Sequence, residues 1–123
     1  MGHISIAKCS CGFESGHLLC AGGMENFTTV CDAPVICGDC GRVGTTNLLD
    51  NSGELKAEDS ARCPSCGSNN VVVAVGLTEP KERVRPVGEW NVGGETVYFL
   101  PGPYRCPSCG EKKLTVQSCG CWD

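Results

Sequence analysis

Cys37-Gly38-Asp39-Cys40-Gly41 and Cys63-Pro64-Ser65-Cys66-Gly67 are two turns of one design, with 22 residues between Cys40 and Cys63. Cysteines one or two residues apart rarely bond to each other without strain, yet that spacing aims two thiolates at one metal ion from a single tight turn. The Gly after the second Cys accepts a positive φ, so the chain turns back while nearby backbone N–H groups face the sulfurs. Pro64 stiffens the second turn. The stretch between them leaves on the alternating Val43 and Thr45, passes through the turn-rich Asp50-Asn51-Ser52-Gly53 and returns. After Cys66 comes the strand-like Val71-Val72-Val73-Ala74-Val75. Cys37, Cys40, Cys63 and Cys66 are therefore expected to surround one ion tetrahedrally.

The rest of the chain repeats the device, since 12 of its 123 residues are Cys. Cys106-Pro107-Ser108-Cys109-Gly110 is a third knuckle, with Tyr104-Arg105 as the strand entering it and residues 111 to 116 as the strand leaving. Two pairs of cysteines can complete its set. Cys119 and Cys121 are nearest, and closing that short loop costs roughly 2 kcal/mol less entropy than reaching back to Cys9 and Cys11. Against this, Ile4 and Ile6 alternate into Cys9 as a short strand does. An N-terminal strand is free to pair with a C-terminal one, whereas ligands at a frayed chain end are poorly held. The set expected here is Cys9, Cys11, Cys106 and Cys109, and the local pairing with Cys119 and Cys121 stays open. In the expected arrangement Cys119 and Cys121 join Cys20 and Cys31 as third-site ligands or free thiols. Cys20 and Cys31 bracket the loop Ala21-Gly22-Gly23-Met24-Glu25-Asn26-Phe27, and isolated cysteines are commonly small buried apolar residues. His17, three residues before Cys20, has ligand spacing, but a lone His is usually surface or satisfied core, and the same holds for His3.

A cysteine-rich chain of this length is either a disulfide scaffold or a set of metal sites. Residues 1 to 8 run into Cys9 without the apolar stretch that secretion needs, and no apolar run approaches a membrane span. A reducing, cytoplasmic setting with metal-bound thiols is the expectation. Aromatic residues are only 6% of the chain, against 17 Gly, which leaves little material for a large core. Metal must replace part of it, with folding free energy on the order of 10 kcal/mol per structural ion in zinc-finger peptides. The expected organisation is an N-terminal C-x-C segment over residues 1–36 packing on a ribbon lobe, a central metal-bound lobe over 37–76, a linker and β-hairpin over 77–105, and a C-terminal knuckle over 106–123. Two zinc ions are expected, or three if the remaining cysteines form a set.

Between the knuckle lobes, Lys81, Arg83 and Arg85 alternate with Glu82 and Val84. Residues 92 to 100 then read as a hairpin turning at Gly93-Gly94. Trp90, Tyr98 and Phe99 are expected to be the core that joins the lobes, because a chain this poor in aromatics needs them inside. A docking surface is the alternative.

The three C-x-x-C-G knuckles resemble those of zinc-ribbon and rubredoxin-like proteins, over the knuckles and flanking strands and not over the whole chain. The resemblance implies a small, metal-stapled, mainly β fold in which ribbon lobes are joined by a β-hairpin, with little helix. Tyr104-Arg105-Cys106-Pro107-Ser108-Cys109-Gly110, with Lys113 following, looks like the second iron-binding knuckle of rubredoxins and implies iron in place of zinc. The departure is Cys9-x-Cys11, one residue short of a matching first knuckle.

Such knuckles are specific for tetrahedral metal and nearly silent about role. No nucleophilic triad, motif-placed carboxylate pair, phosphate loop or zinc site with an open position is legible, so an enzyme is not expected. The formal net charge is −4. Each zinc in four thiolates adds about −2, opposite in sign to a phosphate-binding footprint, which disfavours nucleic acid. The expected role is that of a non-catalytic zinc-binding module in protein–protein interaction or assembly, with residues 81 to 100 as the contact surface. A rubredoxin-like iron electron carrier is the alternative, and a nucleic-acid-binding zinc ribbon stands behind both.

Overall fold

Period-two alternation and Val-rich runs give strands throughout. In the computed structural model these are β1 (Gly2–Lys8), β2 (Leu18–Cys20), β3 (Asp32–Cys37), β4 (Val43–Asn47), β5 (Val71–Val73), β6 (Val75–Gly76), β7 (Gly88–Val92), β8 (Glu95–Phe99), β9 (Tyr104–Arg105) and β10 (Lys112–Trp122). The structure describes residues 2–22, 30–49, 54–55, 61–77, 85–92 and 95–122, and among these there is no helix. The turn expected at Asp50-Asn51-Ser52-Gly53, the Gly93-Gly94 turn, Lys81 to Val84 and most of the loop after Ala21 lie outside the described residues. Among the described residues no helix is long and apolar enough to cross a membrane.

The two ends of the chain form the centre of the largest sheet, whose order is β2-β1-β10-β9. β1 lies antiparallel along β10 in register from Gly2↔Trp122 to Lys8↔Thr115. The register shifts once: Ile4 faces Gly120 and Ser5 faces Ser118, so Cys119 is the extra residue of a bulge. A second sheet, β4-β3-β5, is built around the strand that runs into Cys37, and a third, β6-β8-β7, is the hairpin with Trp90 opposite Val97. Pro34 lies in β3, a central strand, where a missing N–H would normally break a ladder. It is tolerated because β5 pairs only with residues 35 to 37, while the Pro34 carbonyl still accepts the Ala74 N–H at 2.9 Å.

Two small cores lie between the sheets. The first gathers Leu18, Leu49, Val97 and Phe99 with the thiols of Cys20 and Cys31, and Trp90 packs against it. Phe99 is 1% exposed, and the His3 ring meets it edge-on with centroids 4.6 Å apart. Phe99 is thus core, Trp90 flanks that core and Tyr98 is half-buried. The second core gathers Ile36, Leu114, Val116 and two alanines with Cys9 and Cys106. Val43 and Val87 touch both. Cysteines destined for metal therefore form the wall of the second core.

Candidate metal centres

Each knuckle is closed by a backbone hydrogen bond from its first Cys N–H, and in three of the four a second bond returns from the Gly N–H. In the C-x-x-C-G turns the first Cys N–H donates to the carbonyl five residues on, Cys63 to Ser68 at 2.8 Å and Cys106 to Glu111 at 2.8 Å, and Cys37 does the same to Arg42 at 3.0 Å. The Gly N–H donates back to the first Cys carbonyl at 2.9 Å in both Gly67 and Gly110. Gly41, Gly67 and Gly110 hold φ of 71°, 76° and 76°, the left-handed region these turns demand. In Cys9-Ser10-Cys11-Gly12 the same bonds come one residue earlier, Cys9 to Phe13 and Gly12 to Cys9, both at 3.0 Å. The missing residue is absorbed by a tighter turn, so the short spacing still presents two thiols.

The four turns converge in pairs. Cys37, Cys40, Cys63 and Cys66 form one group and Cys9, Cys11, Cys106 and Cys109 another, with the four ligand atoms of each within 4.8 Å of one another. Across the central group Cys37 and Cys66 are 3.6 Å apart and Cys40 and Cys63 are 3.5 Å apart. Across the other, Cys9 to Cys109 and Cys11 to Cys106 are both 3.7 Å. Sulfurs at the corners of a tetrahedron with metal–sulfur distances of about 2.3 Å lie about 3.8 Å apart, whereas a disulfide needs about 2.05 Å. The donor sets therefore fit a four-thiolate ion. In each knuckle the first Cys is buried and the second exposed, so one hemisphere of each site faces protein and the other faces water.

The electrostatics of the bare thiol sets favour a cation. The N–H groups of Cys40 and Asp39 both reach the Cys37 sulfur at 3.4 Å and lower its pKa. Those of Cys66 and Ser65 bring Cys63 down to about 6. Burial opposes ionisation of Cys106, but the N–H groups of Cys109 and Ser108 and the thiols of Cys9 and Cys11 outweigh it and hold it at about 7. The second cysteines go the other way. The Arg42 N–H favours a Cys40 thiolate, yet desolvation and the neighbouring sulfurs push it up to about 12. Cys109 rises to about 11 against the pull of the Glu111 N–H. Backbone N–H groups aimed at Cys37, Cys63 and Cys106 favour thiolate there, and a thiol must give up its proton to ligate a metal ion.

Polar side chains brace the central site. Asp39 accepts from the Ser68 hydroxyl and, at 3.1 Å, from the Asn70 amide, and both hold its carboxyl below the usual range. The Gly38 N–H donates to the Asn70 carbonyl at 2.8 Å. The first knuckle is thus tied to the strand after the second independently of metal. Sequence reasoning missed this brace, although Asp39 inside one knuckle and Ser68 and Asn70 just past the other are residues that bond locally in turns.

Cys20 and Cys31 are fully buried in the first core, where desolvation, reinforced by the Asp32 carboxylate, pushes both thiols up to about 12. Cys119 and Cys121 are exposed on β10, and His17 is exposed. His3 is half-buried against Phe99, and burial lowers its pKa. None of these six joins a four-donor group among the described residues. Of the charged lead-in to the hairpin, Arg85 is exposed, and Lys81 and Arg83 lie outside the described residues.

The two sites are neighbours. A Cβ placed on Gly41 would stand 3.7 Å from the Pro107 Cβ. A cleft of about 370 Å³ opens between the knuckles, with Ile36, Cys37, Val72, Tyr104, Arg105 and Cys106 in its walls. Two four-thiol metal sites facing a shared cleft on a mainly β frame are what this chain builds. No family model, curated protein or solved structure was found to match it.

Proposed function

We propose that this protein is a non-catalytic zinc module that binds another protein through the cleft between its two metal knuckles. The observation that carries the reading is the completeness of both thiol sets: four sulfurs per ion leave no coordination position for substrate or water, so the ions hold shape. What they hold is the cleft, whose walls contain a buried ligand from each site. Val72 is 52% exposed there, although it is a large aliphatic residue on a strand. Beside it stand the half-buried Tyr104 ring and the exposed Arg105, the aromatic and Arg composition of interface centres. Phe99 is buried in the first core and Trp90 packs partly buried against it, which makes the hairpin aromatics the weaker docking candidate.

Protein from its native source, purified in reductant, should carry two zinc ions per chain and bring down a stoichiometric protein partner. Val72→Asp combined with Arg105→Glu should lose the partner and keep the metal. Failure to recover any partner, or equal recovery by both forms, overturns the reading. The iron-carrier alternative draws on one observation, the N–H donors on the Cys37 and Cys63 sulfurs, because hydrogen bonds to ligating sulfur tune a reduction potential. Red native protein that bleaches with dithionite would establish it.

A further inference from the structure

The strand that carries the exposed Val72 has a free side. β5 stands at the end of its sheet and pairs with β3 alone among the described residues. In that ladder the Gly38 N–H donates to the Asn70 carbonyl at 2.8 Å, and the Ala74 N–H to the Pro34 carbonyl at 2.9 Å. Hydrogen-bonded pairs alternate along an antiparallel ladder. Ile36 and Val72 are therefore the bonded pair between these two, and Val71 and Val73 turn their N–H and C=O groups away from β3. A row of outward amide groups is a template for one more strand.

The opposite wall of the cleft indicates what that strand should carry. Arg105 lies directly opposite Lys112 across β9 and β10, and both are exposed. Like charges opposed on a ladder are destabilising, and an anion set against them relieves that. Among the described residues neither makes an ion pair: Glu111 is bonded to Lys113 at 2.7 Å, and Asp39 is held by Ser68 and Asn70. Arg105 and Val72 line the same cleft. A strand added beside β5 sets one side chain opposite Val72 on the cleft face, and its residues two positions away face the same side.

We propose that the cleft takes an extended acidic segment of a partner protein, added as a strand to the free edge of β5. An aliphatic side chain of that segment lies against Val72, and a carboxylate two positions away meets Arg105. This rests on the cleft being the docking surface, and it adds the form and charge of what docks there. Main-chain hydrogen bonds at Val71 and Val73 supply affinity without regard to sequence, while Val72 and Arg105 select the side chains.

The test uses the full zinc-loaded chain as bait for a display library of random peptides. Recovered peptides should share Asp or Glu two residues from Val, Ile or Leu. When a synthetic peptide of that consensus is bound, the amides of Val71 and Val73 should exchange with solvent about tenfold more slowly, an arm that needs no variant. Val71→Pro removes one outward N–H at the first position of the strand, where proline is tolerated, and should weaken the peptide about tenfold at unchanged zinc content. Arg105→Glu should weaken it at least as much and select peptides carrying Lys or Arg instead. If Val72→Asp combined with Arg105→Glu abolishes binding while Val71→Pro and the two amides show no effect, strand addition is refuted and the cleft stands as the docking surface. A peptide that the double variant still binds refutes both. A library that yields no peptide overturns the proposal, and so does a consensus without an acid, which would assign Arg105 and Lys112 to offsetting the charge of the adjacent metal sites.

Discussion

Replacing one ligand in each metal site provides a controlled comparison, because the two sites differ chiefly in how much chain they enclose. Cys106 and Cys63 are both first cysteines of their knuckles, 1% and 3% exposed, and both accept backbone N–H donors. The thiol pairs facing each other across the Cys106 site are 100 and 95 residues apart in sequence, against 29 and 23 in the Cys63 site. An ion that joins such segments restricts the unfolded chain as a cross-link does. The loop-closure relation gives about 4.7 kcal/mol for a loop of about 100 residues and about 3.5 kcal/mol for one of about 25. Cys106→Ser should therefore destabilise the zinc-loaded protein by about 1 kcal/mol more than Cys63→Ser, a further drop of about 3–6 °C in melting midpoint for a chain of this size. Each variant should also lose about one equivalent of metal, since one thiolate is missing from a closed set. Circular dichroism melts with saturating zinc and reductant, paired with elemental analysis, read both quantities. If Cys106→Ser keeps its full metal content, or proves the milder change of the two, the cross-link argument is wrong.

Phe99→Ala empties the middle of the first core and should cost about 3–5 kcal/mol in urea unfolding, while metal content stays at the wild-type level because no ligand lines that core. Cys20 and Cys31, with thiols pushed up to about 12, should resist iodoacetamide in the native protein from pH 7 to 9 and react once the chain is unfolded in urea. The sign of the linkage follows: an acid whose pKa is raised by folding gives stability that is complete below its ordinary value near 9 and is lost from there towards 12. Stability should therefore fall above pH 9, and fall less steeply in a Cys20→Ala/Cys31→Ala protein.

The knuckles are legible in sequence because everything that makes them is local: two cysteines, a glycine at positive φ and a backbone bond from one end of the turn to the other. The strand character of residues 2 to 8, 71 to 73 and 112 to 116 is legible for the same reason. Which knuckles meet is not a local property. Loop entropy favours Cys119 and Cys121 beside Cys106 by roughly 2 kcal/mol. The structure instead brings up Cys9 and Cys11, because the residues before Cys9 pair with β10 from Gly2 to Lys8 and deliver the N-terminal turn beside the C-terminal one. The same pairing holds Cys119 and Cys121 in the strand, away from Cys106. The adjacency of Gly41 and Pro107, and with it the cleft, depends on how three sheets pack, for which a single sequence has no periodic signal.

The second core explains why metal and fold cannot be separated here. Its large aliphatic members are few, Ile36, Leu114 and Val116, and Cys9 and Cys106 complete it from the metal side. Ile36 immediately precedes Cys37, so a ligand of the central site is anchored in the core whose wall is made by ligands of the other. Loss of either ion therefore loosens the packing that positions the remaining site, and the cleft between them depends on both. With so little apolar material beneath it, the cleft relies on metal ions, together with the brace of Asp39, Ser68 and Asn70, to fix the turns on either side, and a fixed shape is what a recognition surface requires. If a protein docks in the cleft as proposed, metal supply would govern that binding through the shape of the cleft, with no metal–partner bond involved.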